Sequence, residues 1–226
     1  MDKAIIYYSC LSHRLDIELA CRRQLLKAGL PIVAVSLNKP IDFGDVRIVV
    51  EGVRSPEMMH RQVLTGLEAS KADIVYLCES DVLYHPSHFD FTPARDDTFY
   101  YQTNLWKVRY PDGHAVWTDD LQQVSGCCAY RELLTKFYRL RLAEIVRDGF
   151  NRHYEPGPKT GYDKVENWQA EWPNVDIRHE QTITRSKWSQ DEYRNKKYAK
   201  GWQESDSVPG WGVTEGRLLE LLAANE

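Results

Sequence analysis

The sequence predicts an α/β fold with a parallel, alternating half first and a mixed half after it. Three observations carry this. Apolar runs of strand length (Lys3 to Tyr8, Pro31 to Leu37, Ile74 to Cys78) are separated by helix-length amphipathic segments, the pattern of a parallel sheet. The third run leads straight into Glu79-Ser80-Asp81. That step delivers two carboxylates to the carboxyl edge of the sheet, where open α/β sheets bind ligands. Beyond residue 98 the pattern changes to aromatic-rich, alternating stretches interrupted by Pro and Gly.

In chain order, Lys3 to Tyr8 is the first strand and Ser9-Cys10-Leu11-Ser12-His13 the loop at its carboxyl end. A helix follows over Asp16 to Ala28, with Ile17, Leu19, Ala20, Leu25 and Leu26 as an imperfect apolar stripe and Gly29 as its stop. Pro31 to Leu37 is a buried strand and Arg47 to Val50 a short third one. Ser55 caps a helix from Pro56 to Ser70, with Pro at the first position. Ile74 to Cys78 is too short for a helix and reads as the central strand.

In the second half, Thr98 to Arg109 reads as one aromatic strand, Pro111-Asp112-Gly113 as a turn, and His114 to Thr118 as the returning hairpin arm. Ser125-Gly126-Cys127-Cys128-Ala129 is a run of small residues that lets another backbone or a ligand come close. Arg131 to Asp148 is a strong helix stopped by Gly149. Residues 151–175 read as loop, and Val175 to His179 as a short edge strand. Residues 185–203 are polar and basic, a surface segment or mobile tail. Gly216 to Ala224 is a last short helix. The expected organisation is one domain over 1–184, with a nucleotide-binding half 1–91 and an acceptor half 92–184, followed by a C-terminal basic segment and short helix over 185–226.

A chain of 226 residues is long enough for one sizeable core. The formal net charge of −4 does not favour a large phosphate-binding surface. Five cysteines, odd in number and without a CxxC pair, fit neither a disulfide framework nor a zinc site. Reduced thiols and the lack of a signal-peptide h-region point to the cytoplasm, and no apolar run approaches the roughly 20 residues of a membrane helix. No G-x-G-x-x-G follows the first strand and no GxxxxGK[ST] exists, which disfavours a dinucleotide fold and removes P-loop NTPases.

Glu79 and Asp81 are hard oxygen ligands that suit Mg²⁺ or Mn²⁺, ions usually held by one or two carboxylates plus substrate phosphates. The strand before them and Val82-Leu83-Tyr84 after them argue against a solvated turn. His85 and His88 form a His-x-x-His separated by Pro86 and read as structural, with no His-Glu-x-x-His beside them.

The combination resembles the GT-A-type nucleotide-sugar glycosyltransferases. It is similar in particular to a group of small, soluble family-2-like members from bacteria and phages. The stretches that carry the likeness are Ile6-Tyr7-Tyr8-Ser9, Val33 to Leu37, Asp81 to Phe91, Ser125-Gly126, and Asp176-Ile177-Arg178-His179, within residues 3–185. Of these, 79–91 is distinctive. The resemblance implies a GT-A-like fold: a Rossmann-like nucleotide-binding half with a mixed central sheet, and an acceptor-binding second half. It puts Glu79-Ser80-Asp81 in the D-x-D position and His179 in the position of a downstream histidine that completes the metal site. The group's pattern has His between the two acids, where this chain has Ser80.

The activity so implied is metal-dependent transfer of a sugar from a nucleotide sugar, with a UDP-sugar favoured by family analogy. The acceptor is a glycan hydroxyl or a hydroxymethylated base in phage DNA. A divalent ion would act as Lewis acid on the leaving diphosphate. Tyr8 would stack on the base, Ser9 bond to ribose or base, Arg14 reach a phosphate, and Gln62 (with Arg61) reach base or sugar. Ser80 joins this nucleotide-binding set, and Arg178 would pair with phosphate. An inverting transferase needs a carboxylate base for the acceptor hydroxyl. Glu155 and Glu166 are the candidates, with Asp163 and Asp120 behind them. Trp106, Trp117, Trp168 and Trp172 are either core or sugar platforms. Two other classes stay open. One is a nucleotidyltransferase, which should carry a Gly-rich basic loop where this chain has Ser-Cys-Leu-Ser-His-Arg. The other is a binding module that keeps the fold without the chemistry.

Overall fold

A computed structural model of the chain describes residues 1–11, 14–119, 121–150, 156, 164–182 and 185–223. Its first half is the predicted alternation: β1 (Lys3–Ser9), α1 (Leu15–Leu26), β2 (Ile32–Leu37), β3 (Val46–Val50), α2 (Pro56–Ala69) and β4 (Ile74–Glu79). β1, β2 and β4 form as they do because their residues are mostly apolar, with many β-branched or aromatic, and are covered on both faces. β2 is buried along its whole length, and β1 and β4 all but one end residue each. Helix α2 starts where Ser55 accepts a hydrogen bond from the Met58 N–H at 3.0 Å, with Pro56 at its first position. On α1, Ile17, Ala20, Cys21 and Leu25 are buried, but Leu19 and Leu26 of the expected stripe face solvent.

The second half adds β5 (Val82–Leu83), β6 (Phe99–Gln102), β7 (Leu105–Arg109), β8 (Ala115–Trp117), β9 (Cys127–Tyr130), α3 (Arg131–Asp148), β10 (Val165–Trp168) and β11 (Asn174–Arg178). It closes with β12 (Gln203–Ser205), β13 (Ser207–Val208), β14 (Gly212–Val213) and α4 (Leu218–Ala223). Among the described residues, seven strands form one mixed sheet in the order β10-β6-β9-β4-β1-β2-β3. Only β9 in it runs against its neighbours. A second sheet has the order β12-β8-β7-β11-β5. This is the α/β arrangement expected, with an alternating first half and a mixed second half.

Three corrections follow. Thr98 to Arg109 is two strands: β6 belongs to the large sheet and β7 to the small one. The chain changes sheets at Thr103 and Asn104, where the Thr103 N–H donates to the Trp168 carbonyl and the Asn104 side chain to the Ala170 carbonyl. Val175 to His179 is no edge strand, because β11 lies between β7 and β5 and is buried over Asn174 to Ile177. Within the span read as loop, β10 pairs in parallel with β6.

The large sheet buries one face against α2 and α3, through Ile6, Val35, Val63, Leu67, Leu134 and Phe137. Its other face packs on Tyr84, Phe89 and Leu105. The small sheet turns Trp106, Val108, Val175 and Ile177 into a third core shared with Ile17, Ala20 and Cys21 of α1 and with Leu218 and Leu222 of α4. The C-terminal stretch thus contributes β12 to the small sheet and α4 to its apolar cover. His88 is structural in its contacts. It packs on Tyr76, Tyr84, Phe89 and Trp168 and meets Asn174 at 3.1 Å, and burial pushes its imidazole down to about 3. All five cysteines are free thiols. No helix among the described residues is long and apolar enough to cross a membrane.

Gly66 lets α2 approach β1. A Cβ there would meet Ile6 Cγ2 at 2.5 Å and Val35 Cγ2 at 3.3 Å. Gly66→Ala should therefore destabilise the protein by about 1–3 kcal/mol through overpacking. This would outweigh the roughly 1 kcal/mol that Ala gains in helix propensity. Urea unfolding measures it, and a variant as stable as wild type would contradict this packing.

Candidate active site

The site forms where the chain leaves β4, turns at Ser80, and enters β5. Antiparallel pairing of β5 with β11 sets Val82 opposite Asp176, and the Asp81 carbonyl accepts from the Ile177 N–H at 2.9 Å. That register brings the end of β11 over the acidic step. Asp81 is buried, and its Oδ2 lies 3.8 Å from Nε2 of the buried His179. Two of the three predicted metal ligands, 98 residues apart in sequence, thus face each other. Glu79 sits beside them, and its Oε1 accepts from the Tyr8 hydroxyl at 2.9 Å. Tyr84 ties the turn to the next segment: its oxygen accepts from the Glu79 N–H at 2.9 Å and donates to the Ser125 carbonyl at 2.9 Å.

A third carboxylate, Asp176, which is buried like Asp81, completes the cluster. Gln123 Nε2 donates to it at 3.1 Å, and Arg178 Nη1 reaches both its oxygens at 3.1 and 3.2 Å. In the parallel register of β11 with β7, Lys107 stands next to Asp176. Burial pushes the Asp176 carboxyl up, Arg178 pulls it down, and the charge of Asp81 raises it again. Glu79 is pushed up to about 8 by burial first and then by the Asp81 charge, against the lowering effect of the Tyr8 hydrogen bond. Asp176 is the site residue that motif reasoning missed. Its signal was its place in the Asp176-Ile177-Arg178-His179 stretch, where only Arg178 and His179 drew a role.

The predicted nucleotide-binding residues are placed as follows. Tyr8 is buried in the core with its hydroxyl on Glu79. Ser9 donates to Glu18 and accepts from the Leu11 N–H. Gln62 is buried and donates to the carbonyls of Ser9 and Val35, at the carboxyl ends of β1 and β2. Arg14 pairs with Asp16 and lies 4.6 Å over the Tyr110 ring. Ser80 is buried in the acidic turn. Of the proposed bases, Glu166 is on β10 at the edge of the large sheet, ion-paired with Arg95. It stands in register with Tyr100, across β9 from Tyr76 of β4, about 14 Å from β4 at the usual strand spacing. Glu155, Asp163 and Asp120 lie outside the described residues. Trp106 is buried in the third core, Trp117 packs against it, and Trp168 stacks on Phe91.

His179, its side chain buried, belongs to the wall of a cleft of about 820 Å³ that also includes Arg109, Tyr110, Arg178, Arg185 and Trp188. Arg54, after β3, donates to the Gln181 carbonyl at 2.8 Å and anchors one side.

Among the described residues, no three His, Cys, Asp or Glu side chains converge into a ready-made metal cage. The donor set instead fits a divalent ion held by few protein ligands and completed by substrate phosphates, the usual arrangement for Mg²⁺. Asp81 and His179 supply one oxygen and one nitrogen on facing strand ends. A metal at Nε2 needs the ring proton on Nδ1, which gives up the 3.3 Å contact from the Gln181 N–H.

No family model and no curated protein matches the chain. Among solved structures it is similar to the inositol-1-phosphate CTP transferase from T. maritima, at 11% identity and a TM-score of 0.43, over 100% of this chain and 96% of that one. It is similar also to glucosyl-3-phosphoglycerate synthase from Mycobacterium tuberculosis, solved with Mn²⁺, uridine diphosphate and phosphoglyceric acid. Here identity is 14% and the TM-score 0.40, over 74% of this chain and 67% of that one. A glycosyltransferase involved in glycosylation of the major capsid of PBCV-1 gives 8% identity and a TM-score of 0.39, over 75% and 82%. The likeness lies in the general α/β arrangement.

Because the fold holds Glu79 neutral more readily than the unfolded chain does, the native state binds the extra proton between pH 4.5 and 8. Stability from this group is therefore full at the acid end of that window and is lost as pH rises through it. Glu79→Gln, neutral throughout, should gain on wild type by about 1–3 kcal/mol across the same window in metal-free buffer. Urea unfolding at several pH values measures this, and a pH-independent difference would contradict the burial argument.

Proposed function

We propose that the chain is a metal-dependent glycosyltransferase that uses a nucleotide sugar, with a UDP-sugar favoured. The observation that supports it most is the opposition of Asp81 and His179, 3.8 Å apart, at the carboxyl edge of the central strand. Asp81 and His179 would hold Mn²⁺ or Mg²⁺, with Glu79 beside them. The ion would supply Lewis-acid stabilisation of the leaving diphosphate. Arg178, already carrying charge to this edge, would pair with phosphate oxygen. Gln62 ties the Ser9 and Val35 carbonyls together and so shapes the floor on which a base would lie. Tyr8 holds the Glu79 carboxyl by its hydroxyl and so fixes which oxygen faces the site.

Transfer with inversion needs a base for the acceptor hydroxyl, and Glu166 and Glu155 are retained for that role. The acceptor is a glycan or another small hydroxyl compound in preference to DNA. The cleft of about 820 Å³ has small-molecule dimensions, and the net charge of −4 does not suit a duplex. Nucleotidyl transfer is the second reading. The β1–α1 segment Ser9-Cys10-Leu11-Ser12-His13-Arg14 lacks the Gly-rich basic loop such chemistry uses to hold a triphosphate.

Thermal melting against nucleotides and nucleotide sugars, with and without Mn²⁺, tests the proposal. One diphosphonucleoside should raise the melting temperature only with Mn²⁺, by mass action on the folded state. Asp81→Ala should abolish that rise. Turnover should release a nucleoside diphosphate, whereas pyrophosphate release from a triphosphate would favour the second reading. Glu166→Gln should lower kcat by about 10²-fold or more if Glu166 is the base. No stabilisation by any nucleotide would overturn the proposal.

A further inference from the structure

The outer part of the cleft holds two cations, Arg109 and Arg185, that the donor chemistry does not use, beside Arg178, which it does. Arg109 on β7 and Arg178 on β11 are register partners at the ends of parallel strands, so their backbones lie about 4.8 Å apart. Like charges side by side on a sheet repel. Each is partly balanced by one acid: Arg109 by Asp112 at 2.6 Å, and Arg178 by Asp176 at 3.1 Å. Arg185 lines the same cleft and forms no ion pair with a described residue. Ser186, next in the chain, accepts from Arg178 Nε at 2.6 Å, which brings the 185–186 backbone to the paired arginines. Arg109 lies 5.3 Å over the Trp188 ring, and Thr182 adds a hydroxyl to the wall. The lining also holds two acids: Glu180, which is exposed, and Glu192, which spends one oxygen on the N–H groups of Trp188 and Ser189. The wall therefore offers more N–H and O–H donors than the two oxygens of a carboxylate accept, and guanidinium forks match phosphate geometry.

We infer that this outer cleft binds the phosphate monoester of a small acceptor, held by Arg185 and Arg109 beside Trp188. The assignment of that ligand as the acceptor rests on the transferase reading, but the anion site itself does not. Its volume, about 820 Å³, accommodates a phosphorylated sugar or polyol together with the reacting end of a donor.

Isothermal titration of the full chain with methyl phosphate, in the absence of divalent ions, tests the inference. Acetate is the control, on wild type, Arg185→Gln, Arg109→Gln and Asp81→Ala. Methyl phosphate should bind wild type and Asp81→Ala alike, and about tenfold more weakly to each arginine variant, the loss expected for one charge-assisted contact. Acetate should bind more weakly than methyl phosphate. UDP with Mn²⁺ should bind Arg185→Gln as it binds wild type. No binding of methyl phosphate, equal binding by Arg185→Gln, equal binding of acetate, or loss in Asp81→Ala would each overturn the assignment. If UDP with Mn²⁺ fails to bind wild type while methyl phosphate binds through Arg185, the anion site stands and the transferase reading falls. The reverse result removes the anion site alone.

Discussion

Everything at the carboxyl edge depends on holding three carboxylates close together, Asp81 and Asp176 buried and Glu79 half-buried beside them. Burying a charge is expensive unless it is paired or neutralised. Each acid here meets that cost differently. Asp176 takes Arg178 and Gln123. Glu79 takes the Tyr8 hydroxyl and an upward shift in pKa. Asp81 faces His179. A divalent cation would lower the repulsion among all three at once. That is the physical reason to regard the cluster as a site rather than as a core defect.

The small sheet makes this possible by giving its two faces opposite characters. Along β7 and β11, Trp106, Val108, Val175 and Ile177 enter the apolar core under α1 and α4. The alternate residues Lys107, Arg109, Asp176 and Arg178 share the other face. Period-two alternation on two adjacent parallel strands thus stacks charge on one side and apolar bulk on the other.

The first half of the fold was legible because each element carries its own signal: continuous apolar runs for β1, β2 and β4, and a Ser-Pro start for α2. The second half was less so, for identifiable reasons. The alternation from Thr98 to Arg109 is unbroken in sequence, while the sheet change at Thr103 depends on hydrogen bonds to Trp168 and Ala170, far along the chain. β11 reads as an edge strand in sequence, yet Asp176 is tolerated inside because Arg178, Gln123 and Lys107 surround it. Within the site, Glu79 and Asp81 were visible as a spaced pair at a strand end. His179 came with the family resemblance, and Asp176, in the same stretch, carried no role because only the register of β5 with β11 brings it to the acidic turn. Tyr8, Ser9 and Gln62 were read by residue type as ligand-facing, whereas each makes hydrogen bonds within the protein. Residue type alone does not distinguish these uses.

The central claim is that Asp81 and His179 jointly hold a divalent ion that meets a nucleotide diphosphate. A crystal grown with UDP and Mn²⁺, with data collected at the manganese absorption edge, tests it most directly. One anomalous peak is expected at bonding distance from both the Asp81 carboxylate and His179 Nε2, in contact with the diphosphate. A peak coordinated elsewhere, or bound UDP with no manganese between these two side chains, would contradict it.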